Sequence, residues 1–196
     1  MENDKTGQIL EDEKFRKSIF IASQKYLINT LFDAINSILG VVIGLYLANQ
    51  TNPYVFMMTI FSTAIALGIS SGSSIYEAEY LEQVRKIQEI EKHMVKNPEE
   101  SKTIMKKKAR ITGFFVGAIN LLTPLLIAAV LILLFAILPQ LSWAFWVSII
   151  LSAAILFVTG IFFGKLNKLS PLKRGVRMLL IGATTFVIVY TVGLVF

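Results

Sequence analysis

Residues 111–164 read ITGFFVGAINLLTPLLIAAVLILLFAILPQLSWAFWVSIILSAAILFVTGIFFG, with no Asp, Glu, Lys or Arg anywhere in the run. A helix of about 20 apolar residues crosses a bilayer, and only a helix or a closed barrel satisfies its own backbone hydrogen bonds there. The run is long enough for two crossings, and Pro139-Gln140-Leu141-Ser142 divides it. Two more charge-free stretches flank it. Ala34–Ile75 breaks at Asn49-Gln50-Thr51-Asn52-Pro53, and Met178–Phe196 suits one crossing. The pattern predicts an all-α membrane protein with spans at 30–49, 54–76, 112–137, 142–164 and 177–196, hence five transmembrane helices.

Composition agrees. Of 196 residues, 55% are hydrophobic and only 16% charged, and the mean hydropathy is +0.65. Soluble domains carry about 25% charged residues, so a soluble enzyme and a disordered chain are both excluded. The absence of cysteine removes disulfides, thiolate metal sites and Cys nucleophiles. His93 is the single histidine, so no multi-His metal site can form. No cluster of nucleophile, base and orienting group can be assembled from what remains, and the expectation is that the protein is not an enzyme.

The 19 Lys and Arg residues sort completely. Lys5, Lys14, Arg16, Lys17 and Lys25 precede span one. Arg85, Lys86, Lys92, Lys96, Lys102, Lys106, Lys107, Lys108 and Arg110 lie between spans two and three. Lys165, Lys168, Lys173, Arg174 and Arg177 join spans four and five. The other two turns carry none. Five crossings put the three basic segments on one side, and the positive-inside rule places that side, with the N-terminus, in the cytoplasm. The pI near 9.5 is therefore a topology signal. It points to anionic membrane lipid as a partner and not to nucleic acid. Residues 1–15 have no apolar core or cleavage site, which suits a cytoplasmic tail, and Phe15–Ile28 has one apolar face suited to the membrane interface. The expected divisions are 1–29 (tail and interfacial helix), 30–76 (spans one and two), 77–111 (a cytoplasmic helical hairpin between helices 2 and 3) and 112–196 (spans three to five).

Asp33 is the only acidic residue inside an apolar span. A carboxylate there costs roughly 2.5–3.5 kcal/mol at the bilayer centre. One reading has it reach the headgroups, with Lys25 as partner. The other makes it a cation or proton site facing a bundle interior or a dimer seam. Asn36 and Ser37 follow at i+3 and i+4, on its helix face, and Gly40 and Gly44 extend that face as a GxxxG. The same spacing at Gly113/Gly117 and Gly160/Gly164 suits close helix packing. Gly68-Ile-Ser-Ser-Gly-Ser-Ser74 suits a close crossing or a polar path, and Pro124 in span three predicts a kink beside Asn120. Met57 and Met58 read as packing.

Beyond span two, Leu81, Val84, Ile87, Ile90 and Met94 recur at helical spacing among Glu77, Glu79, Glu82, Glu89 and Glu91. Asn97-Pro98-Glu99-Glu100 is a helix-start signature. Carboxylates suit a hard divalent ion, but the basic residues interleaved with them equally suit a salt-bridged, solvated hairpin.

The run Asp33-Ala-Ile-Asn-Ser-Ile-Leu-Gly40-Val-Val-Ile-Gly44 resembles the first-helix motif D-G-x-x-S-x-x-G-x-x-x-G of the vacuolar iron transporter (VIT) family. Arg174-Gly-Val-Arg-Met-Leu-Leu-Ile-Gly182 is similar to that family's last-helix pattern. The resemblance implies a homodimer that moves Fe²⁺ or Mn²⁺ out of the cytoplasm in exchange for protons, the metal being substrate, with no cofactor. It places Asp33 on the path between protomers, with Asn36, Ser37, Gly40 and Gly44 on the same helix. Ser71 stands where the family often has methionine, and Ile75 where a glutamate often follows. Metal would meet Asp33, with Glu77, Glu79 and Glu82 as further carboxylates. The departures motivate a second expectation, a non-transporting relative that acts as a membrane scaffold or regulator through its hairpin. A prokaryotic plasma membrane suits the cysteine-free chain.

Overall fold

A computed structural model describes residues 13–93, 98–138 and 140–195. The described residues form five helices and no strand: α1 (Glu13–Leu47), α2 (Pro53–His93), α3 (Pro98–Ile137), α4 (Leu141–Leu166) and α5 (Pro171–Val195). All five are long and apolar enough to cross a membrane. The protein is an all-α, multi-pass integral membrane protein. Residues 1–12 of the expected tail, Asn97 of the expected helix start and Pro139 of the expected break lie outside the described residues.

The helices run longer than the charge-free stretches. At 1.5 Å per residue, the 35 residues of α1 and the 41 of α2 reach about 52 and 62 Å, well past a hydrocarbon core of roughly 30 Å. The segment with an interfacial pattern and the first span are one continuous helix from Glu13. Likewise α2 runs on from the second span to His93, and α5 begins at Pro171, ahead of the charge-free stretch. Charge ends a span without ending a helix, because a helix leaving the bilayer keeps its internal hydrogen bonds.

What ends the helices is turn chemistry. Asn49 takes a left-handed φ of 55°. Its N–H donates to Tyr46 O (3.1 Å) and that of Gln50 to Leu45 O (3.1 Å), which closes α1 with a Schellman turn. The next helix is capped at once: Asn52 Oδ1 accepts from Tyr54 N at 2.9 Å, with Pro53 at the first helical position. Lys168 (φ 54°) repeats the device after α4, where Lys168 N donates to Lys165 O (3.2 Å) and Leu169 N to Gly164 O (2.9 Å).

The chain divides into two compact units, one of residues up to Leu27 with Gly68–Leu122, the other of Ile28–Leu67 with Thr123 onward. In the second unit Ala34, Ile35, Ile38, Val42 and Ile43 of α1 pack with Phe56, Ile60, Leu131, Phe135 and Phe145. Phe56 and Phe135 stack with centroids 5.0 Å apart, and Tyr46 and Phe145 at 3.8 Å. There α4 and α5 also meet backbone to backbone. A methyl group on Gly160 would stand 2.7 Å from Gly175 Cα and 2.8 Å from Arg174 O. In the first unit α2 and α3 meet in the same way, since a methyl on Gly117 would stand 2.8 Å from Gly72 O, and one on Gly68 2.7 Å from Leu121 O. Large apolar side chains face outward, among them Phe114 (65% exposed), Leu126, Ile150 and Val158. In a bilayer those are covered by acyl chains.

A methyl on Gly44 would meet nothing within 4 Å, and the nearest atom to one on Gly40 would be Val189 Cγ2 at 3.9 Å. Gly160→Ala is therefore expected to destabilise the fold by about 1–3 kcal/mol through overpacking. Gly44→Ala should leave the single chain within about 0.5 kcal/mol of wild type. Thermal unfolding of both variants in detergent checks the contrast.

Candidate functional site

Asp33 lies 14 residues before the end of α1, about 21 Å along the helix from Leu47. Its side chain is exposed, and among the described residues it has no ion pair or hydrogen bond. Ser37 and Gly44 are exposed too, and with Asn29 and half-buried Gly40 they form one stripe along α1. The opposite face, Ala34, Ile35, Ile38 and Val42, is packed in the core. One carboxylate and small or polar residues thus lie on the side of the helix that the rest of the unit leaves open.

Asn36 turns partly inward from that stripe. Its Nδ2 donates to Phe32 O at 2.9 Å, and its buried Oδ1 has no hydrogen-bond partner. On the neighbouring α5, a methyl on Gly182 would stand 3.8 Å from that Oδ1.

The glutamates that follow the second span have three different surroundings. Glu77 is exposed beside Gly72, Ser73 and Tyr76 on a groove between α2 and α3. Glu79 is 2% exposed, and its Oε1 accepts from Gln83 Nε2 at 2.7 Å. Glu82 is held by two lysines: Lys25 Nζ reaches Oε2 at 2.8 Å and Lys86 Nζ reaches Oε1 at 3.0 Å. Glu82 lies past the charge-free stretch, and hydrogen bonds from Lys25 and then Lys86 hold its carboxyl below the ordinary carboxylate range. Lys25, one sequence candidate for pairing with Asp33, is thus engaged by Glu82. Among the described residues of one chain, no three His, Asp or Glu side chains gather into a metal-holding group.

Ser71 has a role that sequence spacing could not show. Proline has no N–H, so Pro124 leaves the carbonyl four residues back, Asn120 O, without its helical donor. Ser71 Oγ donates to Asn120 O at 3.3 Å, and lies 3.4 Å from Gly68 O on its own helix. The buried Asn120 side chain donates from Nδ2 to Val116 O at 2.7 Å. The hydroxyl thus stands in for the missing amide, at the glycine crossing of α2 and α3. The signal was present as a pair, a small hydroxyl residue in one span and a proline in another, but pairing them requires the crossing itself.

Ser71→Ala is expected to cost about 1 kcal/mol by removing the interhelical hydrogen bond to Asn120 O. Pro124→Ala restores an amide four residues on, so in the double variant the cost of Ser71→Ala should shrink. A double-mutant cycle on thermal stability measures the coupling. Equal costs in both backgrounds would disconnect Ser71 from the proline.

Comparison with known proteins bears on most of the chain. An uncharacterized protein of Methanocaldococcus jannaschii is 31% identical over 156 residues, which cover 79% of this chain and 80% of the relative. The model of the VIT family matches residues 73–194, from the end of the second span through the last helix. With five membrane-crossing helices and a family match over more than half of its length, the chain belongs to the VIT family.

Proposed function

We propose that this protein exports a divalent metal, Fe²⁺ or Mn²⁺, from the cytoplasm in exchange for protons, along a path that two copies form around Asp33. Membership of a family of membrane metal-ion transporters supports the general activity. The observation that carries the finer reading is the open stripe on α1. Asp33 is exposed about 21 Å from the helix end, with only small and polar residues along its face. An exposed, unpaired carboxylate at that depth is costly in lipid. A second copy laid on the stripe covers it, and Gly40 and Gly44 let two backbones approach. Two Asp33 carboxylates with Ser37 hydroxyls then offer the hard oxygen donors that a divalent ion accepts, and Asn36 adds its amide oxygen when its side chain turns out to the stripe. Glu77 at the end of the second span attracts the cation, and Glu79 adds a second carboxylate there.

In this reading residues 77–111 form a cytoplasmic hairpin, the N-terminus is cytoplasmic and the membrane is a prokaryotic plasma membrane. The distribution of all 19 basic residues supports the orientation. The chain has no cysteine, so Thr51→Cys and Lys168→Cys each give a single labelling site. A membrane-impermeant thiol reagent applied to intact cells should label Thr51→Cys and spare Lys168→Cys. The reverse pattern would invert the topology.

For transport, the purified protein in liposomes with a pH-sensitive dye inside is expected to couple Fe²⁺ or Mn²⁺ flux to proton movement. Asp33→Asn should lower both to the level of protein-free vesicles while remaining folded. Undiminished flux in Asp33→Asn would remove Asp33 from the path. A folded dimeric wild type that moves neither ion would favour the scaffold reading, which Ser71 and Ile75 already motivate.

A further inference from the structure

The turn between α4 and α5 holds a concentration of positive charge that the transport reading does not use. Lys165, Lys168, Lys173, Arg174 and Arg177 are all exposed, and among the described residues none makes an ion pair. No Asp or Glu occurs anywhere after Glu100, so helices α4 and α5 contain no acid to neutralise them. Within this patch lies a cavity of about 230 Å³, several times the roughly 30 Å³ of one water molecule. Arg174 and Asn167 are its polar walls, and Ile28, Phe163, Leu169 and Met178 its apolar ones.

The cavity is built by the fold. Gly160 and Gly164 bring the start of α5 onto α4, and a methyl on Gly164 would stand 2.7 Å from Pro171 Cα and 3.3 Å from Arg174 Cβ. This fixes the base of the Arg174 side chain beside the pocket. Asn167 Nδ2 donates one hydrogen to Phe163 O at 2.9 Å and carries a second. The pocket thus offers a guanidinium fork, an amide N–H and an apolar wall, under a surface of four further cations.

We propose that this pocket binds the phosphate of an anionic phospholipid. The Arg174 fork takes two phosphate oxygens and Asn167 Nδ2 reaches a third. The glycerol and first acyl carbons lie on Ile28, Phe163 and Met178. Arginine matches phosphate oxygens in pairs, and basic pockets between membrane helices suit anionic headgroups. The apolar wall decides for a lipid over a free phosphate ion, which would leave those surfaces uncovered. The exposed flank of α5 beside it, Leu172, Val176 and Leu180, faces the acyl chains. This inference stands independently of which ion the protein moves.

The test counts bound lipid. The protein is equilibrated in nanodiscs of mixed phosphatidylglycerol and phosphatidylcholine, extracted into detergent at high salt, and examined by native mass spectrometry. High salt screens diffuse attraction but spares a pocketed pair. Wild type should retain phosphatidylglycerol in preference to phosphatidylcholine. Arg174→Gln should lower that retention by about tenfold or more, Arg174→Lys by less, and Lys173→Gln, which removes an equal charge outside the cavity, should leave it unchanged. If Arg174→Gln does not fold, Asn167→Asp serves, since it sets a carboxylate against the phosphate. Equal losses from Arg174→Gln and Lys173→Gln would reduce the effect to surface charge and overturn the pocket. Displacement of the retained lipid by inorganic phosphate, with equal stabilisation by phosphate alone, would assign the site to a soluble anion and overturn the lipid.

Discussion

Inside a bilayer a backbone carbonyl without a donor has no water to turn to. This constraint explains more of the molecule than any one contact. It makes every described crossing a helix, and it makes a proline in the middle of α3 a debt to be met elsewhere. Pro124 frees Asn120 O, and Ser71 from α2 supplies the hydrogen bond at 3.3 Å. Ser71 can do so because Gly68 and Gly72 on its own helix, facing Gly117 and Leu121, let the two backbones come together. Glycine, serine and proline at this crossing are three parts of one solution. A residue with a longer, acceptor-only side chain at position 71 would lack the proton that the carbonyl needs.

The same constraint separates two uses of glycine that look alike in sequence. Gly113, Gly117, Gly160 and Gly164 are occupied, each with a neighbouring helix where a methyl group would go. Gly44, at the same spacing from Gly40, faces nothing. Close approach is only favourable when something approaches, and among the described residues nothing approaches Gly44. Asp33 lies on that face and not in the core, which is why its chemistry depends on what covers it.

The five crossings were legible because charge is excluded from a bilayer far more strictly than from a soluble core, so its absence over 111–164 is decisive. Helix ends were less legible. The charge-free stretches mark the bilayer, whereas α1 and α2 continue through charged sequence to Glu13 and His93, ended by turn residues such as Asn49 or reaching the limit of the described chain. Lys168 in a left-handed turn gave no sequence signal at all, since lysine is not chosen for that conformation. Of the candidate site, the stripe of Asp33, Ser37, Gly40 and Gly44 could be read from helical periodicity. That Asn36 turns partly inward, that Glu79 is buried and that Glu82 is claimed by Lys25 and Lys86 could not. Those depend on which side of a helix another helix covers, and periodicity names a face without naming its neighbour.

The charge on Asp33 also constrains how a dimeric path could work. Two exposed carboxylates brought together in a low-dielectric seam repel, and each already costs roughly 2.5–3.5 kcal/mol there on insertion scales if it lies near the centre. No lysine or arginine sits in the charge-free stretches to balance them. In the proposed dimer, a divalent cation between the carboxylates or a proton on each would relieve that repulsion. Both would be neutral overall, and passage from one to the other would exchange two protons for one divalent ion. A single monovalent ion would leave one negative charge for a proton or a second ion to compensate, so in the proposed seam one divalent ion does alone what takes two monovalent ones. In this scheme the selectivity for charge is set by the pairing of two copies, before any ligand distinguishes one divalent metal from another.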